Sequence, residues 1–87
     1  MQPNLKVYKS VNSVEMITRT QKRVLVIIKN EVYDLTNFAA SHPGGSQILW
    51  DNTGKVVDDL FEKYHRSSES VKRQLAKYKV GIIQKDP

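Results

Sequence analysis

The chain has 87 residues, enough for one domain whose core is small and would gain from a bound cofactor. Apolar residues make up 39% and charged residues 26%, which is typical of a soluble globular domain rather than a disordered or fibrous chain. The absence of cysteine excludes a disulfide framework, a thiolate zinc site and an iron–sulfur cluster, and the net charge is +5. The longest apolar run, Val24–Ile28, is far shorter than the roughly 20 residues of a membrane span. We therefore expect one soluble domain over residues 1–87, either cytoplasmic or cut from a larger or membrane-anchored protein.

The first half of the chain predicts a strand, a helix and a hairpin. A short strand is expected over Val7–Ser10, followed by a helix from about Ser13 to Thr20, for which Asn12 and Glu15 resemble a capping box. The β-branched run Val24–Ile28 and the segment Glu31–Leu35 then read as the two strands of a hairpin. Asn30 tolerates the positive φ that such a turn requires.

Four short helices and a closing strand are predicted next. The first runs from Thr36 to His42, where Pro43 ends it, and the second runs from Ser46 to about Asn52, before Gly54. The third spans Lys55 to Tyr64 with one apolar side, and Ser67 or Ser68 can cap the fourth. Inward positions on these last two helices are Val56 or Val57, Leu60, Phe61, Tyr64, Val71, Leu75 and Tyr78, and the strand is Val80–Ile83.

Only two histidines occur, and both stand at a predicted helix boundary next to apolar residues. His42 is followed by Pro43, which fixes the exit of the chain, and by two glycines that let the backbone approach a large flat ligand. Turn chemistry alone would also explain this tripeptide. The pairing of the histidines across short helices indicates a shared ligand more strongly than either residue does alone.

These residues carry a resemblance. The segment Val32–Phe38 (VYDLTNF), the HPGG motif at 42–45, Ile48, Leu49, Gly54, Phe61 and His65 resemble the haem-binding domain of the cytochrome b5 family over roughly residues 4–84. The resemblance implies an α+β, cytochrome b5-like fold, in which a small mixed β-sheet supports two helical pairs that enclose a non-covalent haem b. It also implies a carrier of single electrons.

By the same resemblance, His42 and His65 are the axial ligands of the haem iron. Two imidazoles leave no open coordination position, so we expect an electron carrier and not an enzyme. The carbonyls of Gly45 and Phe61 are expected to accept from the second ring nitrogens. The remaining cofactor contacts are expected from Leu35, Phe38, Pro43, Gly44, Gly45, Ile48, Leu49, Phe61, Tyr64, Ser67, Val71 and Leu75. At the propionates, Ser68 is an alternative to Ser67, and Arg66 or Lys72 could form an ion pair instead.

Two departures from the family pattern surround His65. The spacing from Phe61 to His65 is one residue shorter than in free-standing members, and residues 66–81 are two residues longer than in many relatives. The shorter spacing resembles haem domains inside multidomain oxidoreductases, such as flavin-linked reductase fusions and sulfite oxidases. A domain of a larger fused oxidoreductase is therefore the alternative to a free carrier.

The resemblance also implies partners, and the charge distribution suggests how they dock. We expect a monomer that, as the resemblance implies, receives electrons from a flavoprotein reductase and passes them to a redox enzyme or carrier. One partner is expected to be oriented by acidic residues of this chain, namely Asp51, Asp58, Asp59 and Glu62. A second, acidic partner is expected to be oriented by basic residues of the last helix, namely Arg66, Lys72, Arg73, Lys77 and Lys79. The alternative interpretation is that these basic residues form a solvent-exposed helix face without a partner.

Other classes of function fit less well. The pI of about 9.6 suggests a binding module for nucleic acid or anionic lipid, but the bases are scattered and no recognition motif accompanies them, so we expect no nucleic-acid partner. A metal-dependent hydrolase would need three protein ligands and a general base. A haem sensor or enzyme would need one histidine to leave the iron.

Overall fold

The structure is a computed structural model that describes residues 5–41, 46–65 and 69–84, with the backbone alone for Ser46, Tyr64 and His65. The elements in chain order are β1 (Lys6–Tyr8), α1 (Val11–Gln21), β2 (Leu25–Ile28), β3 (Glu31–Asp34), α2 (Thr36–Ala40), α3 (Ser46–Asp51), α4 (Asp58–His65), α5 (Glu69–Ala76) and β4 (Lys79–Ile83). No helix within these ranges is both long enough and apolar enough to cross a membrane. The predicted α+β class is confirmed.

The four strands form one mixed sheet in the order β1-β4-β3-β2. β1 runs parallel to β4, whereas the β3–β4 and β2–β3 pairs are antiparallel. Lys29 and Asn30 join β2 to β3 with φ of 50° and 63°, the two positive values of a type I′ turn, whose twist matches that of the strands. The predicted hairpin and the positive φ of Asn30 are confirmed.

The sheet is covered differently on its two faces, because the side chains of β2 alternate between them. Leu25 and Ile27 pack on the α1 side, together with Tyr8, Val14 and Val32. The other face carries a second buried cluster, consisting of Val24, Val26, Ile28, Tyr33, Leu35 and Ala39. Side chains of α2, α3, α4 and α5 pack against this second cluster, so the four short helices lie on one side of the sheet.

The start of α1 differs from the prediction. The N-cap is Ser10, not Asn12: Ser10 has extended backbone angles, and its Oγ accepts a hydrogen bond from the backbone N–H of Ser13 at 3.2 Å. Glu15 does not complete a capping box but pairs with Arg19 one turn later, at 2.6 Å. Serine is as good a cap as asparagine, and Ser10 stands where β1 has already ended.

The start of α4 also differs from the prediction, because Lys55–Val57 do not belong to the helix. They run beside β2: Ile27 N–H donates to the Lys55 carbonyl at 3.0 Å, and Val57 N–H donates to the Ile27 carbonyl at 2.8 Å. The backbone groups on the outer edge of β2 need partners, and this segment supplies them. The helix begins only at Asp58, whose carboxylate accepts from the Lys29 N–H at 3.1 Å.

The helices around the HPGG motif are slightly shorter than predicted. α2 ends at Ala40 with Ser41 as its cap, and His42 and the next three residues lie outside the described ranges. α3 ends at Asp51, and the chain turns through Gly54, which has φ of 80°. A Cβ at Gly54 would lie 2.9 Å from the Cα of Glu15, so the turn requires glycine on two counts.

Candidate functional site

An apolar cavity of about 450 Å³ lies beside the second buried cluster. Its volume is within the range of small-molecule and cofactor sites. The sheet and all four short helices contribute to its wall. The lining residues are Val26, Ile28, Leu35, Phe38, Ile48, Leu49, Asn52, Val57, Leu60, Phe61, Val71, Gln74, Leu75 and Tyr78.

Exposure divides this lining into a floor, walls and an opening. Val26, Ile28 and Leu35 are buried and form the floor. Most of the wall residues are half-buried, and two of them, Phe38 and Tyr78, meet edge to face with ring centroids 6.0 Å apart. Only Ile48 and Gln74 are exposed among the described lining residues, so they mark where the cavity opens.

Seven residues predicted as cofactor contacts line this one cavity: Leu35, Phe38, Ile48, Leu49, Phe61, Val71 and Leu75. The predicted residues His42, Pro43, Gly44, Gly45 and Ser67 lie outside the described residues. Tyr64 and His65 belong to the last turn of α4 by their backbone, and their side chains are not described. Their contacts to a cofactor therefore stay predictions.

Seven lining residues were not predicted as contacts: Val26, Ile28, Asn52, Val57, Leu60, Gln74 and Tyr78. Simple periodicity identifies several of them. Val26 and Ile28 alternate with residues of the opposite sheet face, and Gln74 lies three residues after Val71 on the same side of α5. Asn52 follows the end of α3, where no periodic signal points to it.

The start of α2 is fixed by a hydrogen-bond network around Asp34. Its Oδ1 accepts from the Thr36 N–H at 3.0 Å and from the Thr36 hydroxyl at 2.6 Å, while Arg23 pairs with Oδ2 at 2.5 Å. Burial acts to raise the pKa of Asp34, but the hydrogen bonds from Thr36 and Arg23 outweigh it and hold that pKa below its usual value. The network sets the position of α2, which ends two residues before His42 in the sequence.

A second network fixes the charges beside the floor. The Tyr33 hydroxyl donates to Glu31 at 2.9 Å, and Glu31 also pairs with Lys79. The hydrogen bond from Lys79 lowers the pKa of Glu31 although burial opposes it, and burial with the Glu31 contact raises the pKa of Tyr33. Glu31 is thus ionised and Tyr33 neutral at neutral pH.

The predicted partner charges are only partly available on the surface. Asp51, Asp59 and Glu62 are exposed. Asp58 is half-buried, and its carboxylate accepts a hydrogen bond from the Lys29 N–H. Among the bases, Lys72, Arg73 and Lys77 are exposed, but Lys79 lies in β4 and pairs with Glu31. Asp58 and Lys79 therefore have structural roles that the charge pattern alone did not show.

Comparison with known proteins now decides the family. The profile described as "Cytochrome b5-like Heme/Steroid binding domain" matches residues 9–84. The chain belongs to the cytochrome b5 family. Domains of this family bind haem and transfer electrons, acting as carriers or as parts of larger enzymes.

Three relatives illustrate the range of cytochrome b5 proteins. A "Cytochrome b5" of Rhizopus stolonifer is 37% identical over 65 residues, which are 75% of this chain and 49% of that protein. A "Probable Delta(5) fatty acid desaturase C" of Dictyostelium discoideum is 32% identical over 86 residues, 95% of this chain and 19% of the desaturase. The solved cytochrome b5 of Ostreococcus tauri virus 2 superposes with a TM-score of 0.68 at 29% identity, covering 87% of this chain and 95% of the viral one. The chain thus spans half or less of both curated relatives.

The cavity suits the cytochrome b5 cofactor. A porphyrin is flat and largely apolar, and twelve of the fourteen lining residues are aliphatic or aromatic. Tyr78 is the one described lining residue with an ionisable side chain. These residues can hold such a ligand and exclude water from its faces.

Proposed function

We propose that this cytochrome b5 domain holds a non-covalent b-type haem in the apolar cavity, with His42 and His65 as the axial ligands. One observation carries the proposal. Each of the two histidines of the chain lies between cavity-lining segments: His42 comes two residues after the end of α2, and His65 is the last residue of α4. Phe38 of α2 and Phe61 of α4 both line the cavity, so each helix leads from a wall residue to a histidine.

The chain's residues would then have distinct tasks. A bound haem supplies a one-electron ferric–ferrous couple. Two histidine ligands would close both axial positions and favour outer-sphere electron transfer. The apolar walls would exclude water and, together with hydrogen bonds to the ligand imidazoles, tune the reduction potential.

We propose a flavoprotein reductase as electron donor and an oxidoreductase as acceptor. The desaturase relative supports the acceptor, since the matching segment is there part of a protein named as a fatty acid desaturase. The same match supports the alternative that this chain is the haem domain of a larger fused enzyme. In both arrangements the domain itself carries electrons and does not transform a substrate.

The first test is reconstitution with haem, followed by visible absorption and by the fluorescence of Trp50, the only tryptophan. Trp50 adjoins the lining residue Leu49, so bound haem should quench it by energy transfer. We expect a low-spin, six-coordinate spectrum in both oxidation states. A high-spin spectrum would contradict bis-histidine ligation. Absence of a Soret band, with quenching by an added steroid, would contradict haem and favour the other ligand class in the family description.

The second test assigns the ligands. His42→Ala and His65→Ala should each give a high-spin spectrum and release haem at least about 100-fold faster, a larger effect than loss of a second-shell partner typically has. Gln84→Ala, a described residue outside the cavity lining, is the control and should retain the parent spectrum. If either histidine variant kept that spectrum, the corresponding ligand assignment would be wrong.

A further inference from the structure

Gln74 interrupts an otherwise apolar stripe that faces the cavity. Val71, Gln74, Leu75 and Tyr78 all line it, at the i, i+3, i+4, i+7 spacing of one helix face. α5 ends at Ala76, and Tyr78 continues the stripe just beyond the helix. Gln74 is the exposed member of this stripe, and its carboxamide is the polar group that the stripe presents at the cavity.

Gln74 lies at the opening of the cavity and not at its floor. The buried floor lies at Val26, Ile28 and Leu35, and the exposed lining residues are Ile48 and Gln74. A flat apolar ligand with a charged edge must leave that edge towards water, since burial of an unpaired charge is strongly unfavourable. The charged edge of such a ligand would therefore reach the opening that Ile48 and Gln74 mark. Of these two side chains, only Gln74 can form a hydrogen bond.

The carboxamide of Gln74 is also available. The other lining carboxamide, Asn52, donates its Nδ2 to the Ile48 carbonyl at 2.8 Å and so closes the end of α3. The Gln74 side chain makes no comparable bond to another residue of the described chain. The nearby Lys72 forms an ion pair within its own helix, with its Nζ 3.9 Å from the Glu69 Oε1.

We infer that the Gln74 Nε2–H donates a hydrogen bond to a haem propionate at the opening of the cavity. The inference rests on the proposed haem function and adds a specific residue to it. A hydrogen bond from a neutral amide to an ionised carboxylate is stronger than a bond between neutral groups. Gln74 thereby positions the propionate edge of the haem and slows the release of the haem. Because its amide is neutral, the net charge of the haem-bound protein is unchanged.

The test separates the propionate contact from general packing. Gln74→Met keeps the length of the side chain and removes the amide, and Gln74→Glu replaces the donor by an anion. For each protein, the rate of haem transfer to an excess of a haem-trapping globin is measured twice, with haem and with haem whose propionates are methyl esters. We expect Gln74→Met to speed the loss of haem about 5- to 10-fold and the loss of the ester less than about 2-fold. Gln74→Glu should lose haem faster than Gln74→Met does, because its carboxylate repels the propionate. This additional acceleration should be smaller when the haem carries methyl esters.

Equal acceleration with haem and its ester, or no acceleration by Gln74→Met, would overturn the inference. Gln84→Met is the matched control outside the cavity lining and should leave both rates unchanged. Far-UV circular dichroism and a retained low-spin spectrum establish that each variant is folded. A parent chain without a Soret band would refute the proposed function itself, whereas a normal parent spectrum without the ester dependence refutes only the role of Gln74.

Discussion

Asp34 links the sheet to the first helix of the site through three neighbours. Its carboxylate receives hydrogen bonds from Thr36 and an ion pair from Arg23, and the Thr36 hydroxyl in turn accepts from the Val24 N–H at 2.9 Å. The Asp34 side chain is only 19% exposed, so water replaces these partners poorly. The first turn of α2 therefore depends on one ionised carboxylate.

Asp34→Asn should reduce the free energy of unfolding by about 1–2 kcal/mol at neutral pH, because it removes the charge that Arg23 and Thr36 stabilise. The folded pKa of Asp34 lies below its unfolded value of about 3.9. This stabilisation is therefore fully present above about pH 4 and is lost as the pH falls below it. Urea titrations of the haem-saturated proteins between neutral pH and about pH 3 would measure the difference.

The lowered pKa of Glu31 causes a similar loss in the same pH range, so the difference between parent and variant isolates Asp34. Glu62→Gln, an exposed position of α4, serves as the control and should change stability by less than about 0.5 kcal/mol. A difference between parent and Asp34→Asn that stays constant down to pH 3 would contradict this account.

Sequence spacing predicted apolar contacts better than polar ones. Strand and helix periodicity predicts Leu35, Phe38 and Leu75, because apolar residues that recur on one side of an element usually face the core. Glutamine carries no such constraint, because its amide is equally compatible with solvent. The spacing of three residues from Val71 places Gln74 on the inner side of α5, but the residue type itself does not indicate a contact with the cavity.

At the scale of elements, β2 is closed at its outer edge by a segment that is not a regular strand. Thr53 starts this closure: its Oγ1 accepts from the Leu25 N–H at 2.9 Å and donates to the Arg23 carbonyl at 2.9 Å. The Gly54 N–H then donates to the Leu25 carbonyl at 2.6 Å. The link between α3 and α4 is thereby tied to the sheet beneath the cavity.

Thr53→Val should reduce the free energy of unfolding by about 1–3 kcal/mol, since it keeps the side-chain shape but leaves two half-buried backbone groups without a partner. Thr53→Ser keeps the hydroxyl and is the matched variant, expected to lose clearly less. Urea midpoints of the two haem-loaded variants provide the comparison. Equal midpoints would show that the hydroxyl contributes nothing at this edge.

The same closure explains why the start of α4 was predicted wrongly. Val56, Val57, Leu60 and Phe61 form an apolar pattern with helical spacing, which favours a helix from Lys55. The competing requirement is non-local, because the partners of Lys55 and Val57 lie in β2, nearly 30 residues earlier. By contrast, the hairpin was predicted correctly because its turn and its two strands are adjacent in sequence.

At the scale of the molecule, opposite charges lie on different elements around the cavity. α3 and α4 carry the exposed acids Asp51, Asp59 and Glu62, whereas α5 carries the exposed bases Lys72 and Arg73, and the exposed Lys77 follows it directly. A net charge of +5 therefore conceals two surfaces of opposite sign. Each surface can attract a different redox partner over a distance that salt shortens.

Electron transfer with a flavoprotein donor should slow as ionic strength rises from about 0.01 to 0.5 M, where the screening length falls from about 30 Å to a few ångströms. Asp59→Lys combined with Glu62→Lys should slow the reaction with one partner, and Lys72→Glu combined with Lys77→Glu the reaction with the other. Stopped-flow rates for donor and acceptor would measure both effects. A flat salt profile for both partners would contradict electrostatic steering.

The unequal covering of the two sheet faces has a thermodynamic consequence. On the α1 face, an 11-residue helix and the side chains of the sheet complete the packing by themselves. On the other face, helices of only five to eight residues border a cavity, and helices of this length are barely stable on their own. The binding energy of the occupant is therefore also folding energy for α2–α5, so local unfolding on this side should depend on the concentration of free haem. In that sense the cofactor serves as the missing part of the hydrophobic core.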